Sequence, residues 1–492
     1  MIPVAQAPAP VEVQQLDDFH MAPRIADDAL AGRYVWAKGL GWMRYDGRRW
    51  ETTSDESVAE TIRKALIAFQ LAESEAGADA DRLRKIAGLF YAHRLRAITG
   101  IARGLCEVKA DEFDRHPDLL NVGNGVYDFV ADELIPHDPA LLLTKVTKVN
   151  YDPAAFHDDW ETAIGVLPEA VADWMQVRFG QAATGHPTSD DRLPVMQGGG
   201  ANGKSTMLTP IMAAMGDHAV GVPSRVLLAN SNDHPTTLMS LRGARIAVME
   251  ETEESGRLSV KRLKDVLGTD PMTARYIAQN DVSWSPTHSI FLSTNYIPQI
   301  AETDNGSWRR LTLVRHPYTF RQSSEALVGN LDRLGDPRLR DRLKAGTGGR
   351  HEAVLAWIVE GARQWYAEHR VMPQPPATVT SDTRMWRKES DLIMSFVEEH
   401  LVLDPNSHAR RTDVYAEFSD WLASNGHSRW TEKTFASRFG QHELVTGAGV
   451  RDDRVRLSAP GLSHRPELIA GQIPERFRAW MGVRFRLPTD DD

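Results

Sequence analysis

The sequence predicts a multidomain α/β protein whose central domain contains a mainly parallel β-sheet. Four short apolar runs, at 193–196, 244–249, 289–294 and 311–314, are separated by polar loops. Strands that are buried on both faces of a sheet have this continuously apolar character. A proline-rich stretch, VMPQPPATV, follows this region and divides it from a smaller C-terminal unit.

The N-terminal part has the pattern of a separate α+β domain, which we assign to residues 16–155 after a flexible tail at 1–15. The stretch RYVWAKGLGWMRYDGRRW alternates aromatic and polar residues around Gly41 and the Asp46-Gly47 pair, which is typical of a hairpin. Helical periodicity follows at 57–72 and 81–105, and strand-and-turn patterns return at 119–153.

The central domain is assigned to residues 156–370, and a helical pattern at 160–185 leads into its sheet. A linker at 371–380 separates it from a C-terminal domain at 381–492 that ends in an acidic tail. Helical patterns at 390–400, 411–424 and 431–441, followed by a strand pair around VTGAG and RVRLS, predict a winged-helix-like fold. Its third helix would direct Lys433 and Arg438 toward DNA. A small packing or assembly domain is the alternative interpretation.

The most specific motif is GGGANGKST, which satisfies the phosphate-binding pattern G-x-x-x-x-G-K-[ST] directly after the first apolar run. Its glycines let backbone N–H groups turn toward phosphate oxygens, Lys204 neutralises the β- and γ-phosphates, and Ser205 offers a hydroxyl to Mg²⁺. We therefore expect ATP and Mg²⁺ at this loop. Its residues are Gly198, Gly199, Gly200, Ala201, Asn202, Gly203, Lys204, Ser205 and Thr206.

Acidic residues follow the second apolar run, where an ATPase needs a group that holds the metal and one that activates water. Glu250 is the candidate metal ligand and Glu251 the candidate base. Without the phosphate-binding motif, this pair would be read as a solvated end of a strand. Asn295, after the third run, offers a neutral amide that can orient water or contact the γ-phosphate.

Two arginines precede the fourth apolar run in DNGSWRRLTLV. Arg309 or Arg310 could reach a nucleotide bound by an adjacent subunit and stabilise the charge that develops during phosphoryl transfer. The alternative is an ordinary pair of surface arginines.

Composition restricts the function less than these motifs do. The 57 basic and 67 acidic residues give a net charge of -10, which neither excludes nor implies nucleic acid. Cys106, the single cysteine, excludes an internal disulfide and fits a reducing compartment. The sequence has neither a signal-peptide pattern nor an apolar run long enough to span a membrane, so we expect a cytoplasmic location and no membrane partner.

The order of the motifs, from GGGANGKST through ARIAVMEETEE, KRLKDVLGTDPMTARYIAQNDVSW and SIFLSTNYIP to DNGSWRRL, resembles one family. It is similar to the superfamily 3 helicases of phages, plasmids and large DNA viruses, specifically the poxvirus-type primase-helicase subgroup. The upstream stretches LLNVGNGVYDF and YDPAAFHDDW look like the domain that precedes the motor in that subgroup, so the resemblance covers residues 30–320.

The resemblance implies an AAA+-like motor that acts as an ATP-dependent DNA helicase or translocase in phage or plasmid replication. It implies a homo-hexameric ring on single-stranded and forked DNA, with movement from 3′ to 5′. In this family pattern Lys204 and Ser205 are Walker A residues, Glu250 and Glu251 are Walker B acids, Asn295 is the sensor and Arg310 is the arginine finger.

The same resemblance places DNA contacts in a hairpin region with Lys261, Lys264, Arg275, Gln279 and Asn280. The expected hairpin tip is polar here, whereas the family carries a lysine. Residues 1–155 are too few for a primase catalytic domain in addition to the linker domain, so we expect no primase activity and a separate primase or polymerase as partner. A phage-encoded chain would act in the host cytoplasm.

Two other functions remain open from the residues. One is a related P-loop ATPase used for origin melting, DNA packaging or interference with another phage. The other is a non-catalytic initiator that binds nucleotide only to assemble, although Glu251, Asn295 and Arg310 argue against it.

Overall fold

The computed structural model describes residues 15–223, 226, 235–250, 257–275, 281–300, 308–427, 429–464 and 473–490. Almost all of the predicted N-terminal tail lies outside these residues. Glu251, Gln279 and Asn280 also lie outside them.

The N-terminal region packs helices against a small antiparallel sheet. The helices are α1 (Asp18–Ile25), α2 (Asp55–Glu75), α3 (Ala80–Ala87) and α4 (Ala92–Leu105). The sheet contains β1 (Tyr34–Ala37), β2 (Gly41–Tyr45) and β3 (Trp50–Thr53), so the predicted hairpin is confirmed. Asp46 fixes the turn between β2 and β3 because its Oδ1 accepts hydrogen bonds from two backbone N–H groups. The helix predicted at 81–105 is divided in two by a turn at Gly88–Phe90.

A three-stranded meander of β4 (Leu119–Val122), β5 (Gly125–Asp128) and β6 (Glu133–Ile135) follows. Its apolar side chains belong to the same buried core as the helices that surround the central sheet. Polar contacts reinforce this junction, since the Tyr366 hydroxyl donates to Asp118 at 2.5 Å and Arg363 pairs with Asp132 at 2.9 Å. The meander therefore packs as part of the central domain, although it precedes the predicted boundary at 155.

Strands β7 to β15 come next, in the central domain. They are β7 (Leu193–Gln197), β8 (Ala219–Pro223), β9 (Ile246–Glu250), β10 (Arg257–Leu258), β11 (Met272–Ala274), β12 (Val282–Trp284), β13 (Ser289–Thr294), β14 (Gln299–Ile300) and β15 (Leu311–Arg315). Five of them form one sheet in the order β15-β7-β13-β9-β8, and each neighbouring pair is parallel. The predicted parallel sheet is confirmed by β7, β9, β13 and β15. Strand β8 lies at the sheet edge, where only Val222 of its five residues is buried, so it lacks the continuous apolar run of the other strands.

Helices cover both faces of this sheet, and alternate residues of its strands enter two separate apolar cores. The helices are α5 (Asp158–Ile164), α6 (Glu169–Ala183), α7 (Lys204–Met215), α8 (Val260–Leu267), α9 (Leu339–Ala345) and α10 (Arg350–Ala367). The helix predicted at 160–185 is broken between α5 and α6, where Pro168 begins the second helix. Helices α6 and α10 touch at Gly180 and Gly361, where a Cβ would lie 2.1 Å from the opposing backbone.

A parallel pair of short strands, β16 (Thr319–Arg321) and β17 (Asp332–Leu334), lies between β15 and α9. None of the helices that the structure describes combines the length and apolar character needed to cross a membrane.

The C-terminal region contains α11 (Ala377–Ser390), α12 (Leu392–His400), β18 (Leu401–Arg410), α13 (Arg411–Ser424), α14 (Glu432–Gln441), α15 (Glu443–Gly447), β19 (Arg451–Arg456), β20 (Leu462–Ser463) and β21 (Arg476–Phe485). Helices α12, α13 and α14 confirm the three predicted helices. The strand predicted in VTGAG is wrong, because His442 caps this segment as the short helix α15 and Val445 is buried. Strand β19 instead pairs with β21 in a sheet of order β19-β21-β18-β20.

Helix α11 extends across the predicted boundary at 380/381. Its Trp386 is buried against Trp308, and the indole donates a hydrogen bond to the Pro298 carbonyl at 3.1 Å. The preceding proline-rich segment is also fixed, since the Trp174 indole donates to the Pro373 carbonyl at 3.1 Å. Residues 371–390 therefore pack on the central domain, and the C-terminal unit begins at Asp391, which caps α12.

Candidate phosphate-binding site

The glycine-rich loop connects β7 to α7 in a conformation that requires glycine. Gly200 has φ +100° and Gly203, the residue that precedes α7, has φ +81°. Both values lie where a side chain is disfavoured. A Cβ on Gly203 would also lie 2.3 Å from Val166 Cγ1, and one on Gly198 would lie 1.7 Å from Asn202 Nδ2. The backbone conformation and close packing of the loop therefore explain why glycine occupies these positions.

Lys204 is buried at the first position of α7, and its ammonium group donates three hydrogen bonds. The acceptors are the Gly198 carbonyl at 2.5 Å, Asn202 Oδ1 at 3.2 Å and Asn295 Oδ1 at 3.2 Å. All three are neutral, and within the described residues no carboxylate forms an ion pair with Lys204. Burial lowers the pKa of this ammonium group because the charged form loses solvation. A buried cation that lacks a counter-ion favours the binding of an anion.

The carboxyl ends of the central strands bring further predicted residues to this loop. Glu250 ends β9 and Asn295 follows β13, and both line a cavity of about 560 Å³ together with Lys204, Ser205 and Thr206. Loop residues Gly200 to Gly203 line the same cavity. The hydroxyl of Ser205 and the carboxylate of Glu250 supply oxygen ligands of the kind that Mg²⁺ prefers. These residues fit both the predicted nucleotide and the predicted metal ion.

The apolar part of the cavity lining was not predicted from the sequence. It consists of Val166, Phe320, Leu334, Pro337 and Leu339, with Arg340 exposed at its edge. These residues come from α5–α6, β16, β17 and α9, which are distant in sequence, and no local motif marks them. A cavity that combines apolar residues with a polar phosphate-binding loop suits a ligand with one apolar and one anionic end.

A buried histidine lies directly behind the loop. Burial and the nearby Lys204 ammonium lower the pKa of His316 to about 3, so its imidazole is neutral at physiological pH. Its backbone N–H donates to the Gln197 carbonyl at 2.8 Å, and its Cβ lies against Gly198. His316 therefore supports the loop without adding a second positive charge.

The two candidate trans arginines are not part of this cavity. The Arg310 carbonyl accepts a hydrogen bond from the Leu193 N–H at 2.6 Å, which places Arg310 at the amino end of the sheet. Its guanidinium pairs with Asp191 at 3.3 Å. Arg309 is exposed and lines a separate cavity of about 300 Å³ with three further arginines, Arg192, Arg384 and Arg387.

The predicted DNA-contacting side chains that the structure describes do not line the phosphate-binding cavity. Lys264 is exposed on α8, and Arg275 is exposed next to the antiparallel pair β11–β12. Lys261 belongs to α8 by its backbone, and its side chain is outside the described part of the structure, as are Gln279 and Asn280. In the C-terminal region Lys433 is exposed on α14, whereas the Arg438 guanidinium lies 4.5 Å over the Trp430 ring.

The fold and this cavity define a multidomain α/β protein that is consistent with a P-loop-like core. Two family models match its sequence. A "D5 N terminal like" domain matches residues 24–169, and a "Poxvirus D5 protein-like" domain matches residues 388–451. The resemblance to the poxvirus-type primase-helicases is thereby confirmed.

The relatives come from large DNA viruses, and their names assign them provisionally as primase or helicase. An African swine fever virus protein, primase C962R, is 24% identical over 63% of this chain and 34% of its own length. A helicase of Acanthamoeba polyphaga mimivirus is 24% identical over 68% of this chain and 36% of its own length. A helicase of Frog virus 3 is 28% identical over 46% of this chain and 24% of its own length. The chain spans about a third of the first two relatives and about a quarter of the third.

The fold is also similar to that of a solved structure, the apo C-terminal region (residues 305–718) of NrS-1. The TM-score is 0.50 at 10% sequence identity, over 95% of this chain and all of that one. This likeness concerns the fold alone.

Proposed function

We propose that this chain is an ATP-dependent DNA helicase or translocase that acts in phage or plasmid DNA replication. The observation that carries the proposal is the buried Lys204 ammonium, which faces a cavity of about 560 Å³ shared with Ser205, Glu250 and Asn295. A triphosphate that binds in this cavity supplies the counter-ion that the Lys204 ammonium lacks. The homology to viral helicases supports DNA as the substrate on which the motor acts.

Each of the candidate site residues has a separate role in the proposed reaction. The loop N–H groups and Lys204 bind the β- and γ-phosphates of ATP, with Lys204 exchanging its neutral acceptors for phosphate oxygens. Ser205 and Glu250 hold Mg²⁺, which neutralises phosphate charge when it is bound. Glu251 orients the attacking water and accepts its proton. Asn295 contacts the γ-phosphate without adding charge.

Arg340, which the sequence did not indicate, is a further candidate contact of the triphosphate. Its exposed side chain lines the same cavity as the phosphate-binding loop. We infer that its guanidinium contacts the triphosphate, while Phe320 and Leu339 pack against the nucleoside. A cation at this position stabilises phosphate charge in the same subunit.

The proposal also includes a homo-hexameric AAA+-like ring on single-stranded and forked DNA, 3′ to 5′ movement, and Arg310 acting on the neighbouring subunit's nucleotide. A host-cytoplasmic location and a separate primase or polymerase belong to the same proposal. We further infer that the unit from α12 to β21 forms a winged-helix-like domain, because the helices α12, α13 and α14 are followed by the antiparallel strand pair β19–β21. Lys433 remains its candidate DNA contact on α14.

The test is ATP hydrolysis by the purified chain with and without single-stranded DNA, together with its mass in solution when nucleotide is present. Lys204→Ala should abolish nucleotide binding, and Glu251→Gln should retain binding but stop hydrolysis. Lys64→Ala is the matched control, because Lys64 is exposed on α2, far from the cavity in sequence and absent from its lining.

Hydrolysis that DNA stimulates, in a particle of six subunits, is the expected result. Hydrolysis indifferent to DNA would favour an ATPase for origin melting, packaging or phage interference. Nucleotide binding without hydrolysis in the unaltered chain would favour a non-catalytic initiator. Retained hydrolysis in Glu251→Gln would remove that residue from its proposed role.

A further inference from the structure

Four arginines lie on one exposed face of the antiparallel strand pair β19–β21. The antiparallel register places Arg454 opposite Arg478 and Arg456 opposite Arg476. Because side chains alternate along a strand, these two directly opposed pairs share the same face. All four side chains are exposed. We call this set the arginine hairpin.

This arrangement is electrostatically unfavourable in the free chain. Like charges directly opposite each other on neighbouring strands destabilise a sheet. The chain as a whole carries a net charge of -10, so the face is not part of a generally basic surface. Within the described residues, no carboxylate forms an ion pair with Arg454, Arg456 or Arg476. The cost of assembling this charge is offset when an anionic ligand binds.

The hairpin is also held in a fixed position beside helix α14. Arg411 pairs with Asp452 at the base of the hairpin at 3.2 Å and with Glu432 at the start of α14 at 3.4 Å. On β21, Trp480 is buried against Phe439 of α14, with ring centroids 4.8 Å apart. The arginine row continues outward from this anchored residue, so its geometry is set before any ligand binds.

The chemistry of the face selects among anionic ligands. Trp480, the aromatic residue of the same row, is 2% exposed and cannot stack on a nucleobase. Proteins that bind single strands rely on exposed aromatic platforms, whereas a phosphate backbone is bound by charge alone. A two-stranded ribbon also fits the major groove of a duplex. Arginines on successive positions of one strand face are roughly 6.6 Å apart, which allows separate phosphates to be contacted.

We propose that the arginine hairpin binds the phosphate backbone of duplex DNA. This goes beyond the proposed motor activity on single strands and rests on the proposed function only in taking DNA as the substrate. The hairpin would hold the duplex near the point at which the motor separates it.

The experiment measures binding of the full chain to a short blunt duplex and to a single strand of equal length over a range of salt concentrations. The variant is R454Q/R456Q/R476Q, which keeps Arg478 because that side chain pairs with Asp452 at 3.3 Å. The control K64Q/R84Q/K85Q removes the same charge from exposed positions on α2 and α3. A third protein, R454K/R456K/R476K, keeps the charge.

The glutamine variant should bind the duplex at least about tenfold more weakly, and the slope of log K against log salt should become less steep by about 2 to 3. Its Tm should equal or exceed that of the unaltered chain, because two like-charge pairs are relieved. The control and the lysine variant should keep the original slope. If the triple variant unfolds, R454Q and R476Q singly give the same test, with a change in slope of about 0.9 each.

An unchanged duplex affinity, or an equal loss in the control, would overturn the proposal. An equal loss of single-strand binding would also overturn it, because the hairpin would then not select a duplex. ATP hydrolysis without DNA is measured on the same preparations. Duplex binding that depends on the arginine hairpin, without ATP hydrolysis, would refute the proposed motor but support the hairpin proposal. ATP hydrolysis with duplex binding that does not depend on the hairpin would refute the hairpin proposal but not the motor.

Discussion

Gly203 is the residue whose backbone most directly determines the position of Lys204. Its φ is +81°, and a Cβ at this position would lie only 2.3 Å from Val166 Cγ1, which leaves no room for a side chain. In Gly203→Ala, the strained conformation alone costs about 1–2 kcal/mol, and the clash displaces the loop. We expect ATP affinity to fall at least about tenfold, since each 1.4 kcal/mol is a factor of ten. Titration with a fluorescent ATP analogue measures this.

The control for this variant is Gly100→Ala on α4, where an added Cβ meets no heavy atom within 4 Å. A helical glycine in open space tolerates or gains from alanine. Melting temperatures of both proteins separate a local change in the loop from general unfolding. Unaltered ATP affinity in folded Gly203→Ala would show that the loop conformation does not govern nucleotide binding.

Residues of the site differ in how far the sequence reveals them. The loop at 198–206 could be predicted because a single short segment carries all of its chemistry. Glu250 and Asn295 could be predicted because they end strands that reach the same sheet edge. The wall formed by Phe320, Leu334 and Arg340 could not, since isolated apolar and basic residues acquire a role only when the fold brings them together.

Helices α5, α9 and α10 are joined by one carboxylate, that of Asp159. It accepts hydrogen bonds from Arg342 of α9 at 2.6 and 2.9 Å and from Arg350 of α10 at 2.6 Å. Helix α9 carries Leu339 and Arg340 into the cavity wall. Asp159→Asn should lower the free energy of unfolding by on the order of 1–3 kcal/mol. Because the wall loses its support, KM for ATP should rise more than kcat falls.

The pH dependence of this effect has a defined sign. The guanidinium groups of Arg342 and Arg350 hold the pKa of Asp159 well below its ordinary value. A depressed pKa contributes stability above the unfolded-state value of about 3.9, and this is lost as pH falls through the folded-state pKa. The Tm difference between the unaltered chain and Asp159→Asn should thus be constant near pH 7 and shrink only below about pH 4.

Asp158→Asn is the matched control, because Asp158 is the adjacent residue of α5 and is exposed, with no ion pair among the described residues. Thermal melts of the three proteins across this pH range make the comparison. Equal melting temperatures for Asp159→Asn and Asp158→Asn at pH 7 would contradict the structural role of Asp159.

The sequence predicted those strands in which nearly every residue is buried. Strands β7, β9, β13 and β15 are buried along most of their length, so their apolar runs identified them. Strand β8 was missed because an edge strand needs fewer apolar residues. The strand predicted in VTGAG, at 445–449, was wrong because a capping histidine and tertiary packing outweighed the strand propensity of its residues.

At the scale of the whole molecule, Arg310 lies far from the phosphate-binding loop of its own subunit. Arg310 lies at the amino end of β15 and the phosphate-binding loop at the carboxyl end of the neighbouring strand β7. Five strand residues span roughly 16 Å, which is beyond the reach of an arginine from one end of the sheet to the other. A catalytic role for Arg310 therefore requires the nucleotide of a second subunit. The proposed role of Arg310 therefore depends on the proposed assembly, in which subunits lie side by side.

Mixing of two inactive variants tests this requirement. Lys204→Ala subunits lack a working nucleotide site but keep Arg310, and Arg310→Ala subunits have the reverse defect. If Arg310 acts in trans, an Arg310→Ala subunit regains hydrolysis wherever its nucleotide faces a Lys204→Ala neighbour. Mixtures with the double variant K204A/R310A contain no such interface and serve as the control. Hydrolysis that rises only in the first mixture supports the shared site, whereas no recovery at any ratio of stable, mixed particles would exclude it.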